Sequence, residues 1–329
     1  MITQKLSRFL KYNCFPKRGP RWSQPPCTIF EAFLERSFAN RKFKNLIFTI
    51  ELSNMLLQNK NAIVYGAGGS LGGAIAKALA GAGAKVFLTG RNLRSVQKIA
   101  DEILASKGDV EVDQVDAMDE KEVDRHLERI VHKAGRIDIS FNAVGVDVVQ
   151  NIPLTDLSME DFMSPITLTM RTRFLTAKAA AKVMMKQESG IIIFLTATPG
   201  GIGYPFTAGF APACCAVEGL SRNLASELGI YGIRVVNIRS GGSPDSKVFK
   251  DAIDNNPAAM ESIIGKMEED TMLKKLPLMA DIANVAVFLA SEMSAKITGV
   301  TIDVTCGTTA GLNYRVQSPD SSYSTFASR

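Results

Sequence analysis

From residue 60 onward, short runs of apolar residues alternate with amphipathic stretches. Short apolar runs rich in β-branched residues are typical of buried parallel strands, and apolar residues spaced three and four apart are typical of helices. Predicted strands cover residues 62–65, 85–89, 110–115, 137–141, 190–196, 233–238 and 301–304. Predicted helices cover residues 71–82, 92–106, 120–134, 159–186, 210–229 and 282–293. This alternation predicts an α/β fold: a Rossmann-type, doubly wound parallel sheet of about seven strands in a single domain.

Residues 247–276 differ from the other helical stretches because they are polar, rich in Met and poor in large apolar side chains. A segment that buries so little apolar surface opens locally at low free-energy cost. We therefore expect a mobile flap here. Its sequence does not identify a substrate.

The two ends of the chain differ in composition from its body. Residues 1–54 hold ten Lys or Arg and three Glu, so their net charge is +7 and that of the remainder is −2. The body is therefore not a basic nucleic-acid binder. Three interpretations of residues 1–54 stay open: a poorly ordered extension ahead of a natural start at Met55, a targeting peptide, or an arm that contacts a partner or a membrane. The Ser-rich residues 315–329 are predicted to be disordered, which leaves 55–314 as the folded domain.

The cysteines and histidines point to neither a disulfide framework nor a metal site. The five cysteines show no paired spacing, and Cys214 and Cys215 are adjacent, which is poor geometry for a bridge. The two histidines lie in a charged, helix-like stretch without a nearby thiolate. No run of about 18 apolar residues predicts a membrane span. We expect a cytoplasmic protein with no metal, no membrane and no nucleic-acid partner.

A Gly-rich turn, Gly66-Ala-Gly-Gly-Ser-Leu-Gly72, links the first strand to the first helix. Glycine lets a backbone turn sharply and approach a ligand closely. The free N–H groups at the start of the helix attract phosphate. The predicted phosphate-binding residues are Gly66, Gly68, Ser70, Leu71 and Gly72. A turn without a ligand is the alternative interpretation, because a glycine motif alone is weak evidence.

The turn resembles the T-G-x-x-x-G-x-G pattern of the short-chain dehydrogenase/reductase family, with Tyr65 for Thr and Ser70 for the middle Gly. Other landmarks of that family recur in order over residues 58–312. Residues 142–145 resemble N-N-A-G, residues 234–241 resemble R-V-N-x-I-x-P-G, and residues 219–228, 288–291 and 298–299 resemble later motifs. The resemblance implies a bound nicotinamide dinucleotide. It adds as contacts Asp116, Asn142, Ala143 and Gly145.

Arg91, just past the second strand, indicates which dinucleotide to expect. An acid at this place accepts from the ribose 2′-OH, whereas an Arg favours a 2′-phosphate. The strand ends Thr89-Gly90-Arg91, and the next acid is Asp101. We expect NADP(H) to be preferred over NAD(H). Arg91 as a solvated loop residue is the alternative.

The resemblance fails at the residues that carry the family's chemistry. In that family a Tyr protonates the substrate carbonyl, a Lys four residues later lowers its pKa, a Ser holds the substrate oxygen and an Asn supports a proton relay. The resemblance places at these four positions Phe210, Cys214, Ala197 and Thr169. Cys214 is either a small packing residue or an ionisable thiol. The remaining weak candidates for binding a substrate oxygen are the hydroxyls of Thr196, Thr198 and Tyr204.

Two functions of different class stay open. The first is an NADP(H)-dependent oxidoreductase that acts on a small-molecule substrate with a non-standard active site. The second is an NADP(H)-binding pseudoenzyme that acts as a sensor or as a partner subunit. The resemblance also implies a homo-dimer or homo-tetramer formed through the helices at 159–187 and 210–229, the second of which is rich in small residues.

Overall fold

Seven parallel strands form one sheet in the computed structural model, which describes residues 56–310. The predictions for residues 1–54 and 315–329 lie outside this range. The strand order is β3-β2-β1-β4-β5-β6-β7. The strands are β1 (Asn61–Tyr65), β2 (Lys85–Gly90), β3 (Val110–Gln114), β4 (Ile139–Asn142), β5 (Gly190–Ala197), β6 (Ile233–Ser240) and β7 (Thr301–Val304). The predicted Rossmann-type sheet is thus confirmed.

Helices cover both faces of the sheet. They are α1 (Ser70–Gly81), α2 (Leu93–Ala105), α3 (Glu120–Ala134), α4 (Met159–Gln187), α5 (Phe210–Leu228), α6 (Lys247–Asn255), α7 (Pro257–Glu269) and α8 (Met279–Ala290). Successive strand residues point to opposite faces, so β1 contributes to both cores. Val64 packs in the cluster that includes α1 and α8, and Ile63 packs in the cluster that includes α3 and α5.

Side-chain caps fix where several helices begin. Asn92 accepts from the backbone N–H of Ser95 at the start of α2 (3.2 Å), and Asp119 accepts from the N–H of Lys121 at the start of α3 (2.8 Å). Such caps satisfy N–H groups that a helix cannot satisfy itself. No side chain caps α1, which begins after Gly69. Its first N–H groups are therefore left for another partner.

The helical stretch predicted as a mobile flap consists of two helices, α6 and α7. Asn256 ends α6 and caps α7 by accepting from the N–H of Ala259 (3.3 Å), and Pro257 is the first residue of α7. Pro suits a first helical position because no N–H is needed there. The Asn-Pro pair is therefore a local sequence signal for the break between the two helices. Neither helix contains a fully buried residue; the mobility of the flap stays a prediction.

Within residues 56–310, no helix combines the length and the apolar character that crossing a membrane requires. The same part of the chain contains no cluster of three or more His, Cys, Asp or Glu side chains placed to hold a metal ion.

Candidate cofactor-binding and active site

The sheet has a topological switch point between β1 and β4. From β1 the chain continues outward to β2 and β3, whereas β4 pairs with the other side of β1. In open α/β sheets, ligands bind outside the carboxyl ends of the strands at such a point. Tyr65 ends β1 directly opposite Asn142, which ends β4. The Gly-rich turn and the loop at 143–145 therefore lie side by side at this edge.

The Gly-rich turn leaves no space for side chains at two of its glycines. Gly66 has a φ of +76°, and a Cβ there would stand 2.7 Å from the carbonyl oxygen of Ala143. A Cβ at Gly72 would stand 2.3 Å from the carbonyl oxygen of Gly66. The turn is held to β2 because the N–H groups of Gly66 and Ala67 both donate to the carbonyl of Thr89 (3.0 Å each). A rigid turn of bare backbone before an uncapped helix is the arrangement that binds phosphate.

Ser70, the departure from the family pattern within this turn, contacts the flap. Its hydroxyl oxygen accepts a hydrogen bond from the backbone N–H of Lys247, the first residue of α6 (2.9 Å). From the sequence, Ser70 is predicted only as one of the phosphate-binding residues of the turn. The 177 residues that separate the two partners left no local signal for the contact.

We call the place along the carboxyl ends of the strands, where a ligand would lie, the crevice. On its β2 and β3 side, these two strands end beside two exposed arginines. Arg91 follows β2, and its carbonyl accepts from the Nε2 of Gln114 (3.0 Å). Arg94 is the second residue of α2. Both arginines lack an ion-pair partner within the described range. Asp116 is fixed after β3, since its Oδ1 accepts from the N–H of Met118 (2.9 Å). The sequence interpretation missed Arg94.

The side-chain amide of Asn142 makes its hydrogen bonds within the protein and not to the outside. Its Nδ2 donates to the carbonyl of Thr172 (3.2 Å) and to the Oγ1 of Thr176 (2.9 Å), and its Oδ1 accepts from the N–H of Val144 (3.0 Å). It therefore ties the loop after β4 to α4. Of its neighbours in the loop, Ala143 is half-buried and Gly145 is exposed. These two, rather than the Asn142 amide, face outward.

The four positions at which the resemblance places the family's catalytic residues lie at the end of β5, at the start of α5 and within α4. Ala197 ends β5, Phe210 begins α5, Cys214 follows one turn later, and Thr169 lies on α4 with 8% exposure. Burial raises the pKa of Cys214 to about 11, opposed by a backbone hydrogen bond with Ala197. The thiol is therefore protonated at neutral pH, which argues against Cys214 as an ionised group.

Two of the three hydroxyls considered for substrate binding are used within the protein. Thr196 donates to the Oε1 of Glu218 (3.1 Å) and accepts from the Nδ2 of Asn237 (2.7 Å). Thr198 donates to the carbonyl of Ser240 (3.3 Å), and both threonines are buried. Only Tyr204 remains exposed, at 40%.

Tyr204 lines a cavity of about 550 Å³ next to the start of α5. The loop at residues 199–208 forms most of its wall, and Leu154, Phe162, Ala211, Pro212 and Cys215 complete it. The wall is largely apolar, so this cavity suits an apolar group better than a charged one.

One charged side chain at this edge was not singled out from the sequence. Arg173, on α4, is only 5% exposed. Its Nη1 donates to the carbonyl of Val144 (2.7 Å) and to the Oγ1 of Thr172 (3.0 Å), and no carboxylate of the described residues pairs with it. Burial lowers the pKa of Arg173 to about 10, so the guanidinium stays charged at neutral pH. The sequence signal that could have identified Arg173 is its place four residues after Thr169, on the same face of the helix.

Comparisons with known proteins agree with this geometry. A family model described as "Enoyl-(Acyl carrier protein) reductase" matches residues 66–309. A 3alpha-hydroxysteroid dehydrogenase of Mediterraneibacter gnavus is 28% identical over 76% of this chain and 97% of its own length. A 3-oxoacyl-[acyl-carrier-protein] reductase of Synechocystis sp. is 29% identical over 75% of this chain and 95% of its own length. A crystal structure of levodione reductase has a TM-score of 0.71 and 27% identity, covering 78% of this chain and all of that one.

Proposed function

Because this chain belongs to the short-chain dehydrogenase/reductase family and is an oxidoreductase of that type, we propose that it uses NADP(H) in an active site without the family's usual proton donor. The observation that carries the proposal is the bare phosphate turn at the switch point. There, Gly66 and Gly72 have no room for a side chain, and α1 starts without a cap. The fold implies binding of a nicotinamide dinucleotide. Our proposal adds to this the choice of NADP(H) over NAD(H) and an active site without the usual proton donor.

The preference for NADP(H) rests on charge at the end of β2. The exposed Arg91 and Arg94 offer guanidinium groups that bind a phosphate in bidentate geometry. No acid stands between them and the end of the strand to accept from a 2′-OH. The two arginines have no ion-pair partner among residues 56–310, so both charges are free for a ligand.

Calorimetric titration of NADPH and NADH into three proteins tests this preference. Wild type should bind NADPH at least about tenfold more tightly than NADH, because a hydrogen bond to a charged group contributes about 1.5–3 kcal/mol. Arg91→Ala should lose most of that difference and leave NADH affinity unchanged. Arg125→Ala removes an exposed arginine of α3 and serves as the control. Equal affinity of wild type for the two cofactors would refute the preference.

The turn at residues 66–72 and the side chains at positions 197 and 210 can hold and orient ligands but cannot transfer the proton that the family's tyrosine supplies. Bound nicotinamide would supply a hydride. The turn at 66–72 would hold the pyrophosphate, and positioning of this kind contributes to rate without any acid. Phe210 has no proton to give, and Ala197 has no hydroxyl. We therefore infer a substrate that needs little acid catalysis, or one that receives its proton from Tyr204 or water.

A second function is kept open by the same two residues. An NADP(H)-binding protein without turnover, acting as a sensor or partner subunit, would need neither a phenol at 210 nor a hydroxyl at 197. The relatives, named as dehydrogenases and reductases, favour turnover. A screen of NADPH oxidation with quinones, enones and ketones separates the two functions. Turnover that Tyr204→Phe lowers supports the enzyme, whereas tight NADPH binding with no turnover on the whole panel supports the sensor.

We also propose that the protein assembles as a homo-dimer or homo-tetramer through α4 and α5. Phe174 on α4 is 48% exposed, and α5 presents small residues such as Ala211 and Gly219 that permit close approach of a second helix. Light scattering at micromolar concentration checks this. A mass of one chain would contradict it.

A further inference from the structure

Arg173 carries a buried positive charge that no residue of the described range 56–310 neutralises. Its side chain is 5% exposed, and both protein groups that it contacts, the Val144 carbonyl and the Thr172 hydroxyl, are neutral. Its Nε is buried without a hydrogen-bond partner. Its Nη2 makes no hydrogen bond to any residue of the described range. Burying a charge is costly unless it is paired and hydrogen-bonded, so this arrangement indicates a partner from outside the described part of the chain.

The position of Arg173 along the crevice shows which part of a ligand it would meet. The phosphate turn follows β1, and Arg91 follows β2, so the adenine half of a dinucleotide belongs on the β2 and β3 side. The other half then crosses the switch point to β4 and β5. Arg173 bonds the carbonyl of Val144, two residues past the end of β4.

The same guanidinium lies within electrostatic range of Cys214. Cys214 in turn packs against the turn that follows β5, where a Cβ on Gly200 would stand 3.0 Å from the Cys214 Cβ. Position 214 is where the resemblance places a lysine. The charge at this edge of the sheet is thus provided by α4 instead of α5.

We infer that Arg173 is a binding and positioning residue for the nicotinamide half of the cofactor, through an Nη2 donor to an oxygen of the distal ribose or its phosphate. This inference rests on the proposed function. Nη1 at the same time fixes the Val144 carbonyl, so one side chain holds both the loop after β4 and the ligand that crosses it. A guanidinium suits this double task because its donors have a fixed fork geometry.

The competing explanation is that Arg173 only ties α4 to the loop. That role would affect every ligand of the crevice equally, because the loop borders the phosphate turn at Gly66. A ligand-binding role affects only ligands that contain the distal half. Adenosine 2′,5′-bisphosphate carries the adenine half and the 2′-phosphate but no nicotinamide ribose, so it separates the two explanations.

The experiment is calorimetric titration of NADPH and of adenosine 2′,5′-bisphosphate into the full-length chain. Arg173→Met keeps the bulk of the side chain and removes its charge. Arg173→Lys keeps the charge and loses the fork. The matched control is Arg171→Met, since Arg171 lies two residues earlier on α4, is exposed, and also donates to a backbone carbonyl, that of Met118 (2.9 Å).

We expect Arg173→Met to weaken NADPH at least tenfold and to leave the bisphosphate within twofold of wild type. Arg173→Lys should lie between the two for NADPH, and Arg171→Met should match wild type for both ligands. If Arg173→Met does not fold, Arg173→Lys decides, with at least threefold weaker NADPH and unchanged bisphosphate expected. Equal losses for the two ligands, or no loss for either, would overturn the inference while leaving the proposed function intact. A wild type that binds neither ligand would overturn both.

Discussion

The imidazole of His126 makes the stability of this fold depend on pH. His126, on α3, is fully buried, and its Nε2 lies 3.2 Å from the Oδ2 of Asp113. Its ring meets the ring of Tyr65 edge-on, with centroids 6.4 Å apart. Burial lowers the pKa of His126 to about 4; Asp113 opposes this shift and Arg129 adds to it. The folded protein therefore holds this residue neutral at pH 7.

The direction of the effect follows from proton binding. An unfolded chain protonates histidine with a pKa of about 6.5, so between that value and about 4 the unfolded state binds more protons than the folded state. The free energy of unfolding is then unaffected above pH 6.5 and falls as the pH falls through this window. The loss is about 2 kcal/mol at pH 5 and reaches about 3 kcal/mol near pH 4.

Urea unfolding at pH 7.5, 6 and 5 measures this loss. His126→Leu should lower stability at pH 7.5 but should lack the histidine contribution to the pH dependence. The difference between wild type and His126→Leu should therefore shrink by about 2 kcal/mol between pH 7.5 and 5. Taking the difference cancels the titration of carboxylates that both proteins share. His132→Leu, at an exposed position of the same helix, should run parallel to wild type. A constant difference between wild type and His126→Leu would refute the reasoning.

Three further predictions concern the site. Gly72→Ala should abolish measurable NADPH binding, because its Cβ would stand 2.3 Å from the Gly66 carbonyl oxygen. Gly81→Ala meets nothing within 4 Å and should instead raise the free energy of unfolding by up to about 1 kcal/mol; equal NADPH affinity of the two variants in calorimetry would contradict the phosphate turn. Saturating NADPH should slow hydrogen exchange in residues 247–276, because α6 is bonded to the turn through Ser70, and unchanged exchange would exclude a gating role for the flap. The double variant restores two side chains of the family pattern: Ala197→Ser and Phe210→Tyr. It should gain NADPH-dependent ketone reduction by more than the product of its single changes, since relay members act as a unit. Single-turnover NADPH absorbance measures this, and a wild type that matches the double variant would contradict it.

The parts of the fold that follow from local sequence could be predicted. Each strand and the main helices show a periodicity that ten or fifteen residues reveal, and the turn at 66–72 carries its own glycines. The break between α6 and α7 also has a local signal in Asn256-Pro257, which the sequence interpretation did not use.

The parts of the site that depend on distant neighbours could not be predicted. A threonine at a strand end looks the same in sequence whether its hydroxyl faces a ligand or, as at Thr196, a buried Glu218. The bond of Ser70 to Lys247 and the burial of Arg173 are likewise set by how the elements pack. Residue type therefore indicates which positions differ from the pattern that the resemblance implies, but not what surrounds them.

The buried charge of Arg173 is compatible with a thiol, rather than the lysine that the resemblance implies, at position 214. A lysine at 214 would bring a second cation into electrostatic range of the guanidinium, and like charges repel strongly where water is excluded. With the small, neutral thiol of Cys214 in that place, Arg173 keeps its charge without repulsion from position 214. Phe210 lies one turn before Cys214 on α5, so we expect the guanidinium to lower the pKa of a phenol introduced at position 210. For this reason we expect the change of Ala197 and Phe210 to suffice, and a lysine added at 214 to bring no further gain.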